Sequence, residues 1–170
     1  MSKNNVKKNN QEQKEDSKEQ LLEQYKLFVE MTDRISNRRN EMNKFYVSLL
    51  SSLMAVLALI TGKDDFYVEK IFIFILVVTL TFAFLYLWGK SISSYKQLNS
   101  GKFKVISEME KLLPYPCYDK EWEFLGKGKD PKKYAPVTEL ELKTVKIIIC
   151  VYIFLLLSFF IYKAIKIWMI

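Results

Sequence analysis

The chain has 170 residues, of which 50% are hydrophobic and 26% are charged, and its formal net charge is +7 with no histidine. That length fits a single domain, and the lack of histidine excludes Ser–His, Cys–His and histidine–metal sites. Charged and apolar residues fall in separate blocks, which is typical of a membrane protein. The positive net charge favours binding to nucleotides, nucleic acid or an anionic membrane surface. It also arises when lysines are concentrated in cytoplasmic loops.

The first 44 residues divide into a polar tail and an amphipathic helix. Residues 1–17 have almost no apolar side chains and are predicted to be disordered. Residues 18–44 carry a stripe with heptad spacing, which is typical of a cytosolic helix that packs on a partner. The stripe consists of Leu21, Tyr25, Phe28, Thr32, Ile35 and Met42, with Arg39 in the remaining slot. The partner is either another helix of this chain or the same helix of a neighbouring subunit.

Three apolar runs, residues 45–61, 71–89 and 145–163, are long enough to cross a bilayer. Since only residues 62–70 separate the first two, these two form an antiparallel hairpin. Thr138 and Glu141 match a capping box, which predicts where the third helix starts. An interfacial or re-entrant third run is the alternative, and it changes the side on which residues 164–170 lie.

Basic residues are distributed unevenly around these runs. Ten Lys or Arg precede the first run, two lie in residues 62–70, and eleven lie between Lys90 and Lys143. By the positive-inside rule, the N-terminus and residues 90–144 are cytoplasmic, whereas residues 62–70 and 164–170 are external.

Residues 90–113 are amphipathic and predict a cytosolic helix, and residues 114–144 predict an irregular aromatic and basic loop followed by a helix start. The predicted fold class is therefore an all-α membrane protein. It has three transmembrane helices, with helical stalks and an irregular loop on the cytosolic side.

The first apolar run has a face of small side chains, and its members are Ser48, Ser51, Ser52 and Ala55. Such a face indicates either a close helix–helix contact or the wall of a pore. Because three helices cannot enclose an aqueous pore, the pore interpretation requires an oligomer. No catalytic, metal or cofactor motif is recognisable, so the chain is not expected to be an enzyme.

The basic loop alternates cations with flat rings, a pattern that binds phosphates and stacks bases. The candidate ligand-binding residues are Lys120, Trp122, Lys127, Lys129, Lys132, Lys133 and Tyr134. The alternative is an ordinary positive-inside loop whose aromatic side chains form a small core.

Two segments carry a resemblance to a known group of proteins. They are SYKQLNSGKFKVISEMEKLLP at residues 94–114 and EWEFLGKGKDP at residues 121–131. The chain resembles SLATT-like small membrane effectors of bacterial antiphage defence operons, such as the Hailong-type effector. SLATT-type proteins have two spans, whereas this chain has three apolar runs.

The resemblance implies a homo-oligomeric channel in the bacterial inner membrane, for which we expect a tetramer. A nucleotide or oligonucleotide made by a nucleotidyltransferase-type partner opens it, and the resulting depolarisation causes abortive infection. A non-conducting membrane scaffold that recruits a soluble partner is the alternative.

Overall fold

A computed structural model of the chain describes residues 3–61 and 68–168, and its regular elements are helices. They are α1 (Lys3–Thr61), α2 (Val68–Glu110), α3 (Cys117–Phe124) and α4 (Val137–Trp168), with a 3₁₀ turn at Gly126–Gly128. The long helices α1, α2 and α4 each contain a stretch apolar enough to cross a membrane. The predicted fold class, an all-α membrane protein with three candidate spans, is therefore confirmed.

The helices extend beyond the predicted segments. Helix α1 begins at Lys3, so residues 3–17 are helical where disorder was expected. They contain neither Gly nor Pro, and their lysines, glutamines and glutamates have good helix propensity. Segment 114–144, predicted as an irregular loop followed by a helix start, contains the start of α4 and, within the predicted loop, α3 and the 3₁₀ turn. The external loop predicted at 62–70 lies mostly outside the described residues.

The chain forms two compact units. The first, called here the stalk unit, comprises the residues up to Arg38 together with Tyr95–Tyr134. The second, the span unit, comprises Arg39–Ser94 and the chain from Ala135 onward. Helices α1 and α2 contribute residues to both.

A heptad-spaced stripe of α2 forms much of the core of the span unit. Its buried members are Phe74, Val77, Thr81, Leu85, Trp88 and Ile92. Leu50 and Leu57 of α1 and Val145 and Tyr152 of α4 complete this core. The Tyr152 hydroxyl donates a hydrogen bond of 2.7 Å to the Leu50 carbonyl. Inside a bilayer such bonds and close packing hold helices together, because lipid tails are as apolar as the side chains.

A polar cluster joins three helices of the span unit. The Arg39 guanidinium forms an ion pair of 2.7 Å with Glu141, and both side chains are largely buried. Asn43 donates to the same carboxylate at 2.7 Å and accepts a bond of 2.8 Å from the Trp88 indole. Helix α4 begins at Val137, next to the start predicted at Thr138, but Glu141 binds Arg39 and Asn43 of α1 instead of completing a capping box.

In the stalk unit, α1 and α2 run antiparallel. Tyr25 bonds to Glu110, while Phe28, further along α1, lies under the ammonium of Lys102, which precedes Glu110 on α2. Thr32 and Ile35 of the predicted stripe are buried. The α1 stripe therefore contacts α2 of the same chain, the first of the two arrangements left open by the sequence.

Candidate functional site

The predicted small face of α1 lies on the outside of the span unit. Ser48, Ser51, Ser52 and Ala55 are all exposed, whereas Leu50 between them is buried. Neighbouring positions on an α-helix are about 100° apart, so Ser48 and Ser52 point almost opposite to Leu50. The four pore-lining candidates thus share one face that the protomer leaves uncovered.

Two of the three serine hydroxyls on this face are bonded to their own helix. Ser51 donates to the Val47 carbonyl at 2.8 Å, and Ser52 donates to the Ser48 carbonyl at 3.0 Å. Each hydroxyl has its donor satisfied but keeps oxygen lone pairs free to accept. Such a face tolerates contact with another helix and can also border water.

The second candidate site belongs to the stalk unit, where a buried carboxylate holds α3. Glu110 is 1% exposed. It accepts hydrogen bonds from the backbone N–H of Tyr118 at 2.9 Å and of Asp119 at 3.2 Å. These are amides of the first turn of α3, whose own N-cap, Pro116, makes no side-chain cap. Glu110 therefore caps α3 from another helix, where a negative charge is favourable.

Two of the candidate lysines are engaged with a carboxylate. Glu123 accepts a hydrogen bond of 2.8 Å from Lys120, and its other oxygen lies 3.9 Å from the Lys127 ammonium. The hydrogen bond and charge of Lys120 lower the pKa of Glu123, and the same contact raises the pKa of Lys120. Lys120 and Lys127 are thus partly neutralised, and an incoming anion competes with Glu123 for them.

The other three lysines follow a tight turn. Lys129, Lys132 and Lys133 are exposed. Asp130 organises this turn: its carbonyl accepts from the Lys133 and Tyr134 amides, and its side chain accepts from the Lys132 amide at 3.0 Å. Three exposed ammonium groups within five residues form a cationic patch that can bind phosphates as point charges.

The chain enters this turn through three successive residues with left-handed backbone angles. The φ angles are 71° at Gly126, 55° at Lys127 and 67° at Gly128. Glycine adopts this conformation freely, whereas Lys127 is held in a region that L-residues seldom occupy. A side chain at position 126 would also touch Lys133, at 3.5 Å from its Cδ.

The aromatic candidates pack against each other. The Trp122 and Tyr134 rings meet edge to face with centroids 6.3 Å apart. Tyr118 likewise contacts Phe103 of α2 at 5.6 Å. These ring pairs do not form a buried core, because no residue of α3 is buried. Trp122 remains 45% exposed, so part of its surface is open for stacking.

The roles of three residues, Glu110, Glu141 and Arg39, were not identified from the sequence. Arg39 occupies a slot of a buried stripe, and a cation there requires a nearby anion. Glu110 lies four residues after buried Ile106, on the same helical face, and so faces the packed side of α2. A charged residue at a position where the helical periodicity predicts burial was the sequence feature that could have identified Arg39 and Glu110.

A family model described as Octameric membrane protein family (8xMP) matches residues 22–162. The matched range contains the small face of α1, the buried ion pair and all seven ligand-binding candidates. Neither a curated protein nor a solved structure matches the chain. The family match supports a small oligomeric membrane protein, and the SLATT-like identity stays a prediction.

Proposed function

The chain belongs to the octameric membrane protein family, and on that premise we propose that eight copies form an ion channel in a bacterial inner membrane. Eight is the number in the family's description, and it replaces the four subunits expected from the sequence. The channel is an effector rather than an enzyme. It opens when an anionic nucleotide or oligonucleotide binds to the stalk unit.

The observation that carries this proposal is the exposure of the small face of α1 opposite the core of the span unit. If α1 forms the inner ring, eight helices spaced about 10 Å apart leave a lumen roughly 15 Å wide. Four helices at the same spacing leave only about 4 Å, which side chains would fill. An octamer lined by Ser48, Ser51, Ser52 and Ala55 therefore has room for hydrated ions.

The cationic patch of Lys129, Lys132 and Lys133 is the proposed sensor. The charge distribution along the sequence favours a cytoplasmic location for residues 90–144, where a nucleotide made inside the cell can reach it. The signal opens the channel only if it binds the open form more tightly than the closed form. The resemblance of residues 94–131 to antiphage effectors supports a nucleotidyltransferase-type partner as the source of the signal and depolarisation as the outcome.

Ion flux through purified, reconstituted protein tests this proposal. Liposomes containing the octamer are loaded with a potassium-sensitive dye and exposed to nucleoside triphosphates and short oligonucleotides. We expect flux with at least one of these anions and little without. Liposomes that stay impermeable under all these conditions, together with a stoichiometric soluble partner in pull-downs from the native cell, would instead support the scaffold alternative.

A further inference from the structure

We propose that an exposed apolar stripe, formed by Leu98 and Val105 on α2 and continued by Leu112 just past the end of that helix, is a subunit interface that packs on the outer surface of α3 in the next copy. This inference rests on the octameric assembly of the proposed function and specifies which surfaces of the stalk unit build it.

The stripe has the spacing of a helix–helix seam. Leu98 and Val105 are seven residues apart, so they lie along one side of α2, and Leu112 follows two residues after the helix ends at Glu110. They are 48%, 38% and 71% exposed, although the stalk unit buries Ile106 completely. Gly101 lies on the same side between Leu98 and Val105, and a Cβ built there meets nothing within 4 Å. A neighbouring backbone can therefore approach this side of α2 closely.

The opposite side of α2 is already occupied within the same chain. There, Phe103 contacts Tyr118 and Ser107 donates to Asp119, so α3 covers that side. Phe103 and Ser107 are each two positions from Val105, about 200° around the helix. The exposed stripe and α3 thus flank α2 on two sides.

The outer surface of α3 carries exposed apolar side chains, with the charged Lys120 and Glu121 between them on the same side of the helix. Phe124 is 78% exposed, and Cys117, seven residues before it and on the same side of the helix, is also exposed. Tyr115, just ahead of α3, is 59% exposed. The stalk unit therefore presents an apolar surface on α2 and a second, different surface on α3 that is only partly apolar.

Two different surfaces on opposite sides are what a closed ring needs. Subunits of a ring meet head to tail, so that one surface of each copy contacts the other surface of the next. A stripe that packed on itself would instead produce two-fold dimers. Apolar burial also drives association more strongly in water than in lipid, since lipid tails already solvate apolar side chains. The stalk contacts therefore contribute strongly to holding the ring together.

Disulfide cross-linking tests the pairing directly. In a Cys150→Ala background, Val105→Cys is combined with the native Cys117, and membranes are oxidised with copper phenanthroline. We expect a ladder of covalent species up to eight subunits on a denaturing gel. The matched control is Lys104→Cys, one position away and on another side of α2, which should give no ladder.

A second control separates the two modes of association. With Cys117→Ser, Val105→Cys should not cross-link. If it forms strong dimers instead, the stripe packs on itself, and the head-to-tail interface is overturned. Absence of any ladder from Val105→Cys with Cys117 also overturns it.

Native mass spectrometry of the wild-type protein keeps this inference distinct from the channel proposal. If the octamer conducts no ions but gives a ladder up to eight subunits, the interface is supported and the channel proposal is refuted. If the octamer conducts ions but gives no ladder, the proposed interface is refuted and the channel proposal is unaffected. A wild-type protein that is not octameric overturns both.

Discussion

The hydroxyl of Tyr25 donates a hydrogen bond of 2.9 Å to the buried carboxylate of Glu110. Because the same carboxylate caps α3, a single side chain of α2 links α1 to the segment that carries the candidate lysines. A buried acceptor shared by three donors is sensitive to substitution, since each donor left without a partner costs free energy.

Replacing Glu110 should loosen α3. Glu110→Ala leaves the Tyr118 and Asp119 amides without their acceptor, and we expect a local loss of roughly 1–3 kcal/mol. Hydrogen exchange in residues 117–124 should become faster by about one to two orders of magnitude. Glu110→Gln keeps one acceptor oxygen and should show a smaller effect. Unchanged exchange in Glu110→Ala would show that this cap does not stabilise α3.

Tyr25 should make the stalk unit sensitive to high pH. Burial, followed by the hydrogen bond to Glu110, raises the pKa of Tyr25 above its ordinary value of 10.0. The unfolded chain thus releases the phenol proton at lower pH than the folded chain. The stabilisation is complete below about pH 10 and is lost as the pH rises through the folded-state pKa.

Tyr25→Phe is the matched control, because it keeps the ring and all other titrating groups. Chemical unfolding followed by circular dichroism between pH 8 and 11.5 should show a steeper loss of stability for the wild type than for this variant above pH 10. Parallel curves would mean that Tyr25 does not contribute to the pH dependence.

The ion pair between Arg39 and Glu141 should matter most when only one partner is removed. Its side chains are only 10% and 13% exposed, so Glu141→Gln leaves a cation without its counter-charge and is expected to cost roughly 3–5 kcal/mol. The double variant Arg39→Met with Glu141→Leu removes both charges and should recover much of that loss. Thermal unfolding in detergent measures the difference. A single variant as stable as the double variant contradicts the expected coupling.

The three exposed lysines should control activation rather than assembly. Changing Lys129, Lys132 and Lys133 to Gln removes the cationic patch, and we expect nucleotide-dependent flux to fall at least tenfold while the octamer persists. Changing the exposed Lys96 and Lys104 of α2, together with the exposed Lys111 just after it, to Gln removes the same charge from the same unit and should have little effect. Equal loss in both triple variants would indicate a general charge effect instead of a binding site.

The spans could be predicted from the sequence because uncharged runs of this length have few alternatives to crossing a bilayer. The stripe at Tyr25 and Phe28 likewise followed from spacing, since periodicity reports which side of a helix is buried. Its partner, α2, could only be proposed, because packing between helices depends on residues far apart in the chain.

The polar contacts were the least predictable part. Glu141 fitted a capping box locally, but its carboxylate contacts Arg39, 102 residues away in the chain. The hydrogen-bond donors of Glu110 come from α1 and α3, so they could not be predicted from the neighbouring sequence. The buried side of α2 in the span unit could not be predicted from the sequence either. Residues 71–89 are apolar on all sides of the helix, so their pattern does not distinguish core positions from positions that face lipid.

The central claim is that the small face of α1 lines the channel, and cysteine accessibility tests it most directly. Ser52→Cys, in a background lacking the native cysteines, is treated with a charged methanethiosulfonate reagent during ion-flux measurement. Phe154→Cys, exposed on α4, serves as the control. We predict that the reagent reduces flux through the Ser52→Cys channel and leaves the Phe154→Cys channel unchanged. Flux that responds at Phe154→Cys but not at Ser52→Cys would show that α1 does not line the path.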